Sequence, residues 1–264
     1  MKQLYSRTTE GLREARAALA SARETGDDAT AAKILLDLSN LVKWAPVEEG
    51  EEPFALSHLY ALKALALYRK LDDKHGQISA LIRATACASQ ATAGPMLDEA
   101  EAMAREIGDN LQLARALAAR GRKVVFADKK AARSLSLQAL ELFKEGGDLD
   151  GIADTLFSLA IQGKSKKEKI ASALESARIY REIGRRSWAA KASMLAMYQA
   201  TTPKELLALQ PEMMRALEDA RAVGSISMEG QCYSFLAKIA RARGDEEEAA
   251  KLEQQASELE NVDA

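Results

Sequence analysis

Apolar residues recur along almost the whole chain at intervals of three and four residues, and no stretch alternates between apolar and polar residues with period two. This pattern is typical of amphipathic α-helices that bury one face. It predicts an all-α protein with about thirteen helices. Their predicted ranges are roughly 3–24, 28–43, 54–71, 74–91, 95–106, 109–123, 129–145, 149–162, 166–183, 186–200, 203–222, 226–243 and 245–260.

One short pattern recurs six times along the chain, and its copies define a repeat. In each copy a helix ends, a Gly or Asp makes a turn, and an amphipathic stretch rich in small residues follows. The turn residues are Gly26, Asp72, Gly108, Gly147, Gly184 and Gly224, which lie 46, 36, 39, 37 and 40 residues apart. A period of this size indicates stacked helix pairs, because one pair cannot bury its apolar face alone.

The repeat predicts the domain organisation. We expect one continuous helical solenoid over residues 1–264, with about six units and a capping helix at each end. The predicted segments are an N-terminal capping helix at 1–25, repeat units at 26–71, 72–107, 108–146, 147–183, 184–223 and 224–260, and a tail at 261–264.

The punctuation between helices follows ordinary capping chemistry. A glycine at a helix end adopts the left-handed conformation without steric cost, and an aspartate after it caps the next helix. Pro211 lies inside an otherwise helical pattern and predicts a break near Gln210. The stretch 44–54 contains two prolines and four glutamates, so we expect a solvated loop that accounts for the long first spacing.

Alignment of the six copies separates positions that pack from positions that face outward. The position six residues after the turn is small in five copies, the position nine residues after it is large and apolar in five, and the position twelve residues after it is apolar in five. Such positions share one helical face, and small residues let neighbouring helices approach closely. The small position holds Ala32, Ile78, Ala114, Ala153, Ala190 and Gly230.

The last copy is the most regular one. Residues Leu236–Leu259 follow the pattern LAxIARxxGDxxxAAxxxxxAxxL, which resembles a tetratricopeptide repeat of the long-period branch found in regulatory and adaptor solenoids. The resemblance extends over essentially the whole chain, although the bulky first-helix aromatic is mostly absent and Gly-Asp turns replace the closing proline. It implies a right-handed superhelix whose first helices line a concave groove, usually for peptide or protein partners.

Composition narrows the class of protein. Aromatic residues make up only 5% of the chain, which suits helix packing through small residues and not a β core. No run approaches the roughly 20 apolar residues that span a bilayer. The N-terminal stretch lacks an apolar core and carries acidic residues, which argues against a secretory or transit signal. Cys87 and Cys232 are expected to be buried free thiols, which fits a reducing compartment and, by default, the cytoplasm.

Candidate catalytic chemistry is sparse. His58 and His75 lie in different repeats, and neither has a cysteine or a carboxylate four residues further along the helix, as a helical metal site would use. We expect His75 to be a surface residue beside Asp73 and His58 to belong to the helix opening near Phe54. The sequence has no nucleophile elbow and no phosphate-cradling glycine loop. We therefore expect a non-catalytic protein without a cofactor or a metal.

Charge is distributed unevenly along the chain. The net charge is −3 over residues 1–108, +7 over 109–200 and −6 over 201–264. On the positions that the resemblance places in the groove, eight Lys or Arg residues accompany one acid, around an apolar and aromatic patch. The predicted groove residues are Lys33, Arg115, Arg122, Asp154, Phe157, Lys164, Lys191, Met194, Tyr198, Lys238 and Arg241. Such a groove suits an acidic, partly apolar peptide or protein segment.

Three other interpretations stay open at this point. A sensor module could bind a small anionic molecule in the same groove. The basic stretches 120–130 and 163–169 could form one ridge for phosphate or nucleic acid, although the net charge of −2 argues against nucleic acid. Asn40 with Lys33 and Lys43 resembles part of a clamp for chaperone C-termini, but no asparagine matches it in the next repeat, so this interpretation is disfavoured.

Overall fold

The computed structural model describes residues 9–43, 47 and 50–260, and every regular element in that part of the chain is a helix. Fourteen helices are present there: α1 Thr9–Glu24, α2 Asp28–Leu41, α3 Pro53–Lys70, α4 Lys74–Thr85, α5 Gln90–Glu106, α6 Asn110–Val124, α7 Lys129–Glu145, α8 Leu149–Gln162, α9 Lys166–Glu182, α10 Arg186–Gln199, α11 Pro203–Ala208, α12 Gln210–Ala222, α13 Ile226–Arg243 and α14 Glu246–Glu260. The all-α prediction is confirmed. The predicted start of the first helix before Thr9, most of the loop at 44–49 and the tail at 261–264 lie outside the described residues.

The predicted break at Pro211 is present. It divides one predicted helix into α11 and α12, with Leu209 between them. Proline has no N–H for the helix ladder, so Pro211 lies at the start of α12. The predicted boundary at Pro95 is wrong, because α4 ends at Thr85 and Pro95 lies inside α5. The side chain of Thr202 and the side chain of Glu205 cap α11 reciprocally, in the capping-box arrangement.

Consecutive helices pack against one another from α1 to α6, from α8 to α10 and from α11 to α14. The chain divides into two compact units at Leu142–Phe143. In the first unit, α2 contacts α4 and α4 contacts α6; in the second, α8 contacts α10 and α10 contacts α13. The helices that directly follow the repeat turns therefore form one layer in each unit. The expectation of a single continuous body stays a prediction.

The six turn residues are structurally equivalent. The five glycines have φ between +65° and +75°, and Asp72 has φ +53°, the one positive φ at a non-glycine among the described residues. The following residue caps the next helix at most of these turns. Asp109, for example, accepts a hydrogen bond from the Gln112 backbone N–H at 2.9 Å, whereas Arg185 makes no such side-chain bond. The turn chemistry deduced from the sequence is thus confirmed at five of six copies.

Asp72 adopts a conformation that disfavours any residue with a Cβ atom. We expect Asp72→Gly to raise the free energy of unfolding by about 0.5–1 kcal/mol, because relief of the left-handed strain exceeds the added chain entropy. Gly108→Ala, at φ +69° on an equally exposed turn, should lower it by about 1 kcal/mol. Urea unfolding of both variants measures these changes. Equal destabilisation by the two substitutions would contradict this explanation.

The packing positions inferred from the repeat are buried. Every residue of the small position is buried, and its alanines and Ile78 have no exposed surface. At the position nine residues after the turn, Leu35 and Leu81 are almost completely buried as well. Small residues at these points allow close approach of adjacent helices, so the repeated side-chain pattern directly sets the packing of the layers.

Candidate functional site

The second unit carries a partly exposed aromatic and cationic surface on the layer formed by α8, α10 and α13. We call it the α8–α10–α13 face. Its members are Phe157 on α8, Trp188, Lys191 and Tyr198 on α10, and Phe235 and Lys238 on α13. Four of them (Phe157, Lys191, Tyr198 and Lys238) were predicted as groove residues.

Trp188 owes its position to a substitution within the repeat. Four residues after the turn, two other copies have glycine, and the aromatic ring of the preceding helix packs against it: Tyr68 on Gly76, and Phe143 on Gly151. Trp188 occupies this position in the fifth copy. Its ring therefore stacks on Tyr180, with centroids 6.0 Å apart, instead of leaving room for it. The indole ring also meets the Phe157 ring edge-on, with the two ring centroids 5.9 Å apart.

A second aromatic contact joins α10 to α13. The ring of Tyr198 meets that of Phe235 edge-on, with centroids 4.9 Å apart. Phe235 is buried, but Tyr198 is 62% exposed. Ile161, which occupies the equivalent position of the preceding repeat, is 48% exposed. Exposed aromatic surface of this kind is where binding energy concentrates in interfaces, since its burial by a partner is favourable.

Each lysine of the face stands over an aromatic ring. The amine of Lys191 lies 4.8 Å from the Trp188 centroid, and that of Lys238 lies 5.1 Å from the Phe235 centroid. Attraction between an ammonium group and the negative face of a ring holds the lysine in place. Positive charge and apolar surface therefore occur together at two points of the face.

One acid lies at the α8 edge of the face. Asp154 is exposed and accepts a hydrogen bond from the hydroxyl of Tyr180, which is buried. Burial, with the nearby Asp154 carboxylate, raises the pKa of Tyr180 well above its usual value. The hydroxyl therefore stays protonated as the donor to Asp154, and the carboxylate gives the α8 edge a negative group.

Three other predicted residues of this unit lie elsewhere. Met194 is only 4% exposed and belongs to the hydrophobic core. Arg241 points to α14, where its guanidinium binds Glu253 at 2.6 Å. Lys164 lies in the turn after α8, and its side chain is exposed. Met194 is thus occupied by packing and Arg241 by an ion pair, so neither belongs to the α8–α10–α13 face.

The first unit holds the remaining predicted residues. Lys33 lies on α2, and Arg115 and Arg122 lie on α6; all three are exposed. On the same layer, Arg83 donates a hydrogen bond to the Asn40 side chain at 3.3 Å. Asn40 therefore interacts with an arginine of the neighbouring repeat, and the layer displays cations on α2, α4 and α6.

Each histidine contacts a polar group from another segment of the chain, and the two cysteines differ in burial. Nδ1 of His58 lies 2.9 Å from the Ala84 carbonyl. His75 is exposed as expected, and its Nδ1 lies 2.9 Å from the Asp109 carboxylate of the next repeat. Cys232 is buried as predicted, and burial raises its pKa to about 12; Cys87 is only half-buried. Within the described part of the chain, no three metal-ligating side chains cluster, and no helix is long and apolar enough to cross a membrane.

The predicted groove positions do not include Trp188 or Phe235. Those positions lie seven, ten, fourteen and seventeen residues after the turn, whereas Trp188 lies four residues and Phe235 eleven residues after it. A usable signal was present: Trp188 occupies a position that holds Gly in the second and fourth copies, and each ring precedes a lysine by three residues. Residues three apart on a helix share a face, so the aromatic–lysine pairs could have been found.

Comparison with known proteins supports the fold. No family model matches the chain, and no curated protein matches it. The crystal structure of the apo form of RapI is similar over 96% of this chain and 90% of its own, with a TM-score of 0.57 and 13% identity. A signal-transduction ATPase (STAND) protein with a tetratricopeptide repeat sensor from Pyrococcus horikoshii is similar over 95% of this chain, with a TM-score of 0.67 and 16% identity. The chain spans 39% of that protein's length. At these identities the likeness shows a shared helical repeat fold.

Proposed function

We propose that this protein is a non-catalytic, tetratricopeptide-like scaffold whose α8–α10–α13 face binds an acidic, partly apolar segment of a protein partner. One observation carries the proposal: exposed aromatic surface around Tyr198 lies beside two lysines that are held over aromatic rings. Apolar surface supplies affinity, and the cations select and attract acidic segments.

Charge along the chain supports the same partner. Residues 109–200, which include α8 and α10, carry a net charge of +7, whereas residues 201–264, which include α13, carry −6. The excess of positive charge therefore belongs to the α8 and α10 side of the face. Two free cysteines fit a partner met in a reducing compartment such as the cytoplasm.

A second candidate is a regulatory module that senses a small anionic molecule. Its support is the similarity to a protein described as having a tetratricopeptide repeat sensor, together with the cationic face. Thermal unfolding in the presence of anionic metabolites separates the two candidates. Stabilisation by a metabolite, without any peptide binding at the face, would favour the sensor and contradict the scaffold.

The scaffold proposal is tested by selecting binders from a random-peptide display library on the intact protein. We expect enriched peptides to be acidic and to contain apolar residues, and their affinity to fall as salt is raised. Tyr198→Ala should weaken binding of a selected peptide by at least about tenfold, since it removes an exposed aromatic anchor.

The matched control is Phe126→Ala, which removes a 95% exposed ring from the turn between α6 and α7 in the first unit. It should leave the affinity of the same peptide unchanged. A library that yields no enriched peptide, or peptides that bind Tyr198→Ala as tightly as the unaltered protein, would show the proposal to be wrong.

A further inference from the structure

Two adjacent helices of the layer carry the same two-residue device. Trp188 precedes Lys191 by three residues on α10, and Phe235 precedes Lys238 by three residues on α13. Residues at this spacing share a helical face, and in both pairs the amine lies about 5 Å from the ring centroid. The face therefore has two equivalent points at which a positive charge adjoins an aromatic ring.

Each of these points suits a carboxylate with an apolar neighbour. The ring restricts the lysine side chain before any partner arrives, so less rotamer freedom is lost when a carboxylate binds the amine. At the Lys191 point, the methylene groups of a bound glutamate would also contact the half-buried Trp188 ring. A partner with two acidic side chains can therefore use both points together.

The repeat register gives the separation of the two points. Lys191 lies seven residues after its turn residue Gly184, and Lys238 lies fourteen after Gly224. Seven residues are two helical turns, or about 10 Å along the axis, and neighbouring helices lie about 8–10 Å apart. The two points are thus about 14 Å apart, which an extended chain rising about 3.3 Å per residue covers in four residues.

We propose that the face recognises an extended segment with two acidic residues four positions apart and an apolar residue midway between them. In an extended chain, residues at positions 1, 3 and 5 point to the same side. The two acids then reach Lys191 and Lys238, while the middle residue meets the Tyr198–Phe235 ring pair. Asp154 at the α8 edge disfavours a further acid beyond the Lys191 point. This inference rests on the proposed binding of a protein segment at the face.

Synthetic peptides test the spacing. The first carries two glutamates four positions apart with leucine midway; the second has the same composition with the glutamates adjacent; the third has glutamine in place of both glutamates. All carry amidated C-termini, so that no terminal carboxylate contributes. Fluorescence anisotropy with the intact protein should give at least about tenfold tighter binding for the first peptide than for the second.

Variants then connect the spacing to the two lysines. Lys191→Gln and Lys238→Gln should each weaken binding of the spaced peptide by about five- to tenfold, and the double variant should abolish its advantage over the adjacent isomer. Lys167→Gln, which removes an exposed lysine of α9, should change nothing. Circular dichroism confirms that each variant is folded.

The outcomes separate this inference from the proposal on which it rests. If library-selected peptides depend on Tyr198 but show no spacing of acids, or if both glutamate peptides bind equally, the spacing inference is wrong and the scaffold proposal stands. If the glutamate peptides bind no better than the glutamine peptide and the library yields no binders, both are wrong.

Discussion

Replacing Arg181 with alanine is expected to lower the free energy of unfolding by about 3–5 kcal/mol, because it removes the cation that pairs with the buried Asp219 carboxylate and one of the two arginines that pair with Glu212. The guanidinium of Arg181 on α9 lies 2.6 Å from the Asp219 carboxylate and 2.8 Å from that of Glu212, both on α12. It also donates to the Ser193 hydroxyl on α10 at 2.9 Å. The Asp219 and Glu212 side chains are only 8% and 13% exposed.

This cluster replaces an apolar contact that other repeats use. Ser193 occupies the position nine residues after the turn, where four other copies have leucine. Burial by itself disfavours the charge on Arg181, but hydrogen bonds with Glu212 and Asp219 outweigh it and raise the pKa of the guanidinium. The arginine therefore stays charged and joins α9 to α10 and α12, while Arg215 gives Glu212 a second cationic partner at 3.2 Å.

Chemical denaturation of Arg181→Ala measures the expected loss. Arg178→Ala is the matched control, because Arg178 also pairs with two carboxylates, Glu175 and Glu182, but on the exposed surface of α9. That variant should unfold like the unaltered protein. Similar midpoints for both variants would show that burial of the cluster does not matter.

A further variant isolates the cause of the loss. Arg181→Met combined with Glu212→Gln and Asp219→Asn removes all three charges while keeping similar side-chain volumes. It should recover much of the stability lost in Arg181→Ala, since the penalty comes from unpaired buried charge. Failure to recover would assign the loss to the packing of the arginine stem instead.

The sequence was sufficient for the turns and for the packing positions, for a physical reason. A left-handed residue and a capping side chain are local requirements, so they recur at fixed positions wherever a helix pair begins. Asp72 therefore occupies the same sequence position as the five turn glycines and also shares their positive φ, with a value of +53°. Small residues such as Ala32 recur for the same kind of reason, because close helix contact admits few side chains.

The candidate site was less predictable, since it depends on rotation about the helix axis. The predicted groove positions seven and fourteen residues after the turn include Lys191, Tyr198 and Lys238, which lie on the α8–α10–α13 face. The position seventeen residues after the turn includes Arg241, whose side chain points to α14 instead. An α-helix drifts by about 20° per seven residues relative to a fixed repeat, so columns far from the turn leave the face. The direction of a long side chain at such a position then depends on which partner on a neighbouring helix it binds, as Arg241 binds Glu253 on α14.

The second large effect on stability concerns Gly76, which packs against the ring of Tyr68. Gly76→Ala is expected to lower the free energy of unfolding by about 2–3 kcal/mol, because the added Cβ would overpack a filled core position. An ideal Cβ at Gly76 would lie 2.1 Å from Cδ1 of Tyr68, and that ring is only 3% exposed. The ring cannot move aside without shifting α3 or leaving its own packing site. Thermal or urea unfolding measures the loss.

Gly230→Ala provides the opposite case on the same fold. Its Cβ would lie 3.6 Å from the Ala256 carbonyl, an ordinary contact, and four other repeats already have alanine at that position. We expect a gain of up to about 1 kcal/mol from helix propensity. In a Tyr68→Leu background the clash at Gly76 is gone, so Gly76→Ala should no longer destabilise. If Gly76→Ala costs the same with leucine at position 68, the ring is not the obstacle, and the backbone at the start of α4 must be what requires glycine.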